Sequence, residues 1–172
     1  MKFKWAAVAA ILALAAGCHK TGWQTFAPEG GNFSILMPGK PSDASHTRKT
    51  PQGNLTSHLY LYSSKGTAYA VSYLDRPASK DAATPEQVLD GMRDAEVAKS
   101  EGKLLGTSSL KLPSGAPGRE IEVSIKQGDG KHAMRDRIYL VNNRLYQVMV
   151  VVPADQLDAP DTLKYLNSFT VH

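Results

Sequence analysis

A chain of 172 residues, 42% hydrophobic and 21% charged, has the size and composition of one globular domain with a real core. That composition excludes a disordered chain, a collagen-like rod and a multispanning membrane protein. The formal charge is +4, and removing Lys2 and Lys4 with a leader leaves 18 basic against 16 acidic side chains, a net +2. No nucleic-acid partner is expected, because such binding draws most of its affinity from a concentrated basic face that neutralises phosphates.

The chain opens on a secretory signal. Lys2 and Lys4 form a positive n-region, and Trp5 to Ala16 is an unbroken run of twelve apolar residues. A membrane-spanning helix needs about 20 apolar residues, and His19, Lys20 and Thr21 end this run too early. The only cysteine in the chain, Cys18, follows directly. The string Leu14-Ala15-Ala16-Gly17-Cys18 resembles the lipobox of bacterial lipoproteins, with Ala15 standing where that motif prefers Leu. The resemblance implies cleavage between Gly17 and Cys18, diacylglycerol on the thiol, and often an acyl group on the new amino terminus. In that family Asp after the cysteine favours the inner membrane, so His19 implies the outer membrane, facing the periplasm, in a two-membrane cell. The alternative is a soluble periplasmic protein, since Ala15 and Gly17 also suit ordinary signal peptidase. The expected organisation is a leader at 1–17, the lipidated cysteine and a short tether at 18–31, and a globular domain at 32–172.

Within that domain, Phe33 to Met37 reads as a strand closed by Pro38-Gly39, followed by a polar stretch through about Asn54. Leu55 to Tyr62 and Thr67 to Leu74 are rich in Tyr, Val and Leu and flank the turn-forming Ser63-Ser64-Lys65-Gly66, which predicts a hairpin. Thr84-Pro85-Glu86-Gln87 announces a helix: Thr84 caps, Pro85 suits the first turn and Gln87 completes a capping box. Gly102 is its natural stop. Val88, Leu89, Met92 and Ala95 recur at helical spacing and give the helix one face to lay on a sheet.

From Lys103 the pattern turns to an antiparallel meander: Leu104 to Leu112, Arg119 to Gln127, His132 to Val141 and Arg144 to Val152. With Asp129-Gly130 as a two-residue turn, Ile121 opposes Ile138, Glu122 opposes Arg137 and Ile125 opposes Met134. With Asn142-Asn143 as the next turn, Leu140 opposes Leu145 and Tyr139 opposes Tyr146. Val148, Val150 and Val152 alternate with Met149 and Val151, so the last strand is apolar on both faces and needs cover on both. The helix after Thr84 is expected on one face. A short helix near Pro160 to Leu166, with the early segment, is expected on the other, and Phe169-Thr170-Val171 closes the chain.

The strings Phe33 to Pro41, Pro117-Gly118-Arg119-Glu120, Arg144-Leu145-Tyr146-Gln147 and Asn167-Ser168-Phe169 resemble a group of secreted bacterial proteins, and the arrangement is similar to the PsbP and Mog1 type of α/β sandwich. The fold class that follows is α+β: a single domain, mainly antiparallel β-sheet, covered by one long helix and a short C-terminal helix. The resemblance implies architecture and names no catalytic residue.

The chemistry available is limited. With Cys18 carrying the anchor, no thiol remains for nucleophilic, redox or metal chemistry. His46, His58, His132 and His172 show no paired metal-ligand spacing. Glu120 and Glu122 share a strand face and read as a solvated face, Glu122 already having Arg137 opposite. Asp136 is the odd residue, because the register puts it on the face of Ile121, Val123, Met134 and Ile138, where an unpaired carboxylate is costly. No catalytic residue, metal or cofactor is assigned. The leading expectation is a non-enzymatic, lipid-anchored envelope module that binds a protein or envelope component, with Arg135, Arg137, Tyr139 and Tyr146 as its contact surface unless a helix covers them. A carrier of a small hydrophobic ligand requires a preformed apolar pocket, and a hydrolase built on Asp136 requires a histidine within its reach.

Overall fold

The computed structural model describes residues 22–50, 53–77, 83–127 and 130–172. Gly17 and Cys18 lie outside them. Ten strands and two helices follow in the order β1 (Gln24–Phe26), β2 (Phe33–Met37), β3 (Ser42–Thr50), β4 (Gly53–Ser64), β5 (Thr67–Asp75), α1 (Pro85–Ser100), β6 (Lys103–Lys111), β7 (Pro117–Gln127), β8 (Gly130–Val141), β9 (Arg144–Pro153), α2 (Pro160–Asn167) and β10 (Thr170–Val171). Seven strands form one antiparallel sheet in the order β3-β4-β5-β9-β8-β7-β6, and β1, β2 and β10 form a small second sheet. The α+β architecture expected from the sequence is the one observed.

The main core lies between the two sheets. Phe33, Ile35 and Met37 alternate inward along β2 and meet Val71, Val148, Val150, Tyr146, Tyr165 and Phe169. Phe33 sits at the centre of this layer, with the rings of Tyr73, Tyr146 and Phe169 between 5.6 and 6.2 Å from its own. A smaller cluster on the opposite face joins Leu89 of α1 to Ile121, Ile138, Leu140 and Leu145, with Val88 and Met92 packed beside them. Strand β9 is fully covered on the small-sheet face, whereas on the α1 face Leu145 is buried and Met149 and Val151 are only partly covered, so the expected cover on both faces is met in part.

Helix α1 starts where its capping residues place it: Gln87 N–H donates to Thr84 Oγ1 at 3.3 Å, and Thr84 N–H donates to Gln87 Oε1 at 2.9 Å. Its end differs from expectation. The left-handed residue is Glu101, at φ 50°, and not Gly102. Gly102 is required for a different reason, since a Cβ there would sit 1.8 Å from the Ser124 carbonyl oxygen of β7.

Three further expectations are corrected. The polar stretch after Pro38-Gly39 is a nine-residue edge strand, β3, paired along its whole length with β4. Gln24–Phe26, expected within the tether at 18–31, is a strand that pairs with β2. The register of β7 on β8 is shifted by two residues, so Ile121 opposes Asp136, Glu122 opposes Arg135 and Ile125 opposes His132. This alignment gives Glu120 and Glu122 one arginine each, Arg137 and Arg135, where the expected one paired only Glu122. It also sets Tyr139 opposite Gly118, whose missing side chain leaves room for the ring. A two-residue shift preserves parity, so every side chain keeps its expected face. The β8–β9 register, with Tyr139 opposite Tyr146 and Leu140 opposite Leu145, is as the sequence predicts.

Candidate binding surface

The expected contact residues are inside the protein. Tyr139 and Tyr146 are only 5% and 2% exposed, because the small sheet and α2 cover their face of the main sheet. Tyr139 stacks on Phe169 at 5.6 Å and an interplanar angle of 9°, and Tyr146 donates its hydroxyl proton to the Gly31 carbonyl at 3.1 Å. Arg135 and Arg137 work as fasteners. Arg135 Nη2 donates to Glu122 at 2.6 Å and to Asp158, just before α2, at 2.8 Å. Arg137 Nε donates to Glu120 at 2.6 Å, and its Nη1 donates to Asn167, at the end of α2, at 2.8 Å. Two adjacent inward positions of β8 thus hold α2 at both ends. The contact-surface assignment is corrected: an aromatic and basic pattern on a strand is the same whether solvent or a second layer covers it.

Asp136 is fully buried beneath α1. Gln147 Nε2 donates to its Oδ2 at 2.6 Å, while Oδ1 has no partner. Burial pushes its pKa well above the ordinary carboxylate range and the charge of Glu96 adds to this, whereas the Gln147 bond and the charge of Lys99 pull it down less strongly. A hydrolase needs a histidine beside it, and no described histidine is there. His132 lies four residues along the same strand, roughly 13 Å away at strand rise. His58 stacks on Tyr73 and bonds Ser45, His46 is on edge strand β3, and His172 bonds Ser34. The Asp136 hydrolase reading therefore fails on geometry. Among the described residues, no three His, Cys, Asp or Glu side chains come together as a metal-binding group.

Two open depressions lie on the surface. A cleft of about 240 Å³ lies beside Asp75, Asn142, Asn143, Arg144 and His172. Its one arginine is fully engaged: Arg144 makes a fork to Asp75 at 2.6 and 2.7 Å, donates to Gly30 O at 2.7 Å and lies 4.7 Å from the centre of the Tyr73 ring. That fork holds the Asp75 carboxyl below the ordinary range, against a smaller opposing effect of burial. A second groove of about 220 Å³ runs between Gly106–Ser108 and the two glutamates of β7. Neither is the enclosed apolar cavity that carriage of a hydrophobic ligand needs.

What the fold leaves open is the β3 side of the main sheet. Residues 42–49 of β3 are all exposed, and no described strand lies beside its outer edge. On the face that α1 covers at β7 and β8, Leu59 of β4 is 37% exposed, and Leu61, Met149 and Val151 are only partly covered. The opposite edge, β6, is blunted by a bulge between Leu104 and Gly106. The open strand went unrecognised in the sequence because none of its residues is buried to impose alternation. The signal available was an uninterrupted stretch without Gly or Pro between Pro41 and Pro51.

Among known proteins, no family model matches this chain, and no curated protein sequence matches it. Solved structures do. The solution structure of cyanobacterial PsbP (CyanoP) from Synechocystis sp. PCC 6803 superposes over 94% of this chain and 99% of that one, with a TM-score of 0.60 and 14% identity. A Pseudomonas aeruginosa protein of unknown function, PA94, covers 81% of this chain and 88% of its own, with a TM-score of 0.43 and 10% identity. What the chain shares with the cyanobacterial protein is the fold: a PsbP-like arrangement of antiparallel sheet and helices.

Proposed function

We propose that this chain is a lipid-anchored cell-envelope protein, held on the outer membrane through Cys18 and facing the periplasm, whose domain is a non-enzymatic binding module. The observation that carries the reading is the place of the only cysteine: it closes an apolar leader and stands six residues before β1. Two acyl chains, each buried methylene contributing about 0.8 kcal/mol, make such an anchor effectively permanent. The binding role is supported by the exposed β3–β4 side. No described histidine lies beside Asp136 for the hydrolase reading, and neither depression described above is an enclosed apolar cavity of the kind the carrier reading requires.

Globomycin, which blocks the lipoprotein peptidase, is expected to make the unprocessed precursor accumulate. Cys18→Ser is expected to move the protein from the membrane to the soluble fraction. Membrane sedimentation of the Cys18→Ser form at the parent level refutes the lipid anchor.

A further inference from the structure

We propose that the open edge of β3 is a self-association site, where a second copy of this chain adds its own β3 antiparallel and extends the main sheet across a two-fold axis. The inference builds on the binding-module reading by naming the partner. Backbone geometry supplies the first argument. Nine consecutive residues of β3 are paired with β4 without a bulge, leaving the outer N–H and C=O groups of a regular nine-residue strand unpaired by any described strand. Such an edge is a template for another strand.

Charge supplies the second. A two-fold axis between antiparallel neighbours stands normal to the sheet and keeps each residue on its own face, so it must pass through one residue meeting its own copy. With His46 on the axis, all nine residues of β3 find a partner, and Asp43 of each copy lies opposite Lys49 of the other. Moving the axis to Ser45 or Thr47 shortens the ladder and leaves Asp43 and Lys49 without each other. Asp43 and Lys49 are exposed, sit on the same face six residues apart, about 20 Å, and neither has an ion-pair partner among the described residues. They cannot pair within one chain. They are spaced to pair between two.

The anchor supplies the third. An axis normal to the main sheet leaves the small sheets of both copies on the same side of the joined sheet. β1 belongs to that layer and begins six residues after Cys18, a reach of about 20 Å. Both lipids can therefore enter one membrane.

Disulfide trapping in the bacterial envelope tests this, using the full chain with Cys18 and, in parallel, with Cys18→Ser so that no native thiol remains. Neighbouring residues across an antiparallel pair have Cα atoms about 4.5 to 5.5 Å apart, within disulfide range. His46→Cys is expected to give a dimer that reductant dissolves, in both backgrounds. Ser45→Cys or Thr47→Cys alone is not, while the two variants mixed are expected to link to each other. Asp43→Lys and Lys49→Asp are each expected to weaken self-association by about tenfold, read by sedimentation, and the double reversal to restore it. These side chains are exposed, so the substitutions leave the fold intact. No reducible dimer from His46→Cys, a dimer no more abundant than with Thr107→Cys on β6, or failure of the double reversal to rescue overturns the proposal. A monomer in which the β3 amides that point away from β4 resist hydrogen exchange also overturns it, since something other than a second copy then covers the edge. Fractionation of the two backgrounds reports on the anchor separately.

Discussion

Replacing Asp136 by Asn tests the reading of the α1 face. The carboxyl is fully buried between Ile121 and Met149 on the neighbouring strands, with Glu96 and Lys99 of α1 above it and one hydrogen bond, from Gln147, at 2.6 Å. Folding raises its pKa, chiefly by burial. An unfolded aspartate ionises near about 3.9, so below that pH both states carry the proton and the group has no effect on stability. Above it the unfolded chain releases the proton while the folded chain keeps it. Stability then falls by about 1.4 kcal/mol per pH unit until the folded pKa is reached, and stays at the lower level beyond it. Asn has nearly the same shape, offers a carbonyl oxygen to Gln147 and does not titrate. The Asn variant is therefore expected to match the parent near the carboxylate range and to exceed it increasingly as pH rises toward neutrality. Urea midpoints of both proteins across that interval measure the difference, in which all other titrating groups cancel. Parallel stability curves for parent and variant would refute the account of a neutral carboxyl under α1.

Two further outcomes follow from the ends of that helix. Thr84→Ala removes the side chain that accepts from Gln87 N–H and is expected to cost about 1 kcal/mol in denaturant unfolding, with Thr84→Ser nearly neutral. Glu101 and Gly102 are expected to respond with opposite signs: Glu101→Gly relieves a left-handed residue and stabilises by about 1 kcal/mol, whereas Gly102→Ala drives a Cβ into the Ser124 carbonyl and destabilises by about 1 to 3 kcal/mol. A gain from Gly102→Ala would place the helix stop at the wrong residue.

The elements legible in the sequence are those whose own side chains carry the period of their burial. Phe33 to Met37 alternates buried and half-buried residues over its five positions, and that alternation is visible without knowing what covers it. The Thr84–Gln87 box and the Asn142-Asn143 turn are local chemistry, complete within a few residues, and both appear where they were read. Strand β3 has no such signature, since it is a strand only because β4 offers it hydrogen bonds. The β7–β8 register was misread because two alignments of equal parity satisfy the faces equally. They differ in single pairs: only the observed one gives Glu120 and Glu122 an arginine each and sets Tyr139 against Gly118, and the two arginines reach on to Asp158 and Asn167.

The sequence by itself determined the α+β class, the helix start and which face each strand residue takes, because these depend on spacing within one segment. Only the tertiary structure decided that Arg135, Arg137, Tyr139 and Tyr146 are fasteners and not a contact surface, and that the free edge belongs to β3. A strand's sequence fixes what it can pair with, but whether its face or its edge meets solvent depends on the layers that distant parts of the chain lay beside it.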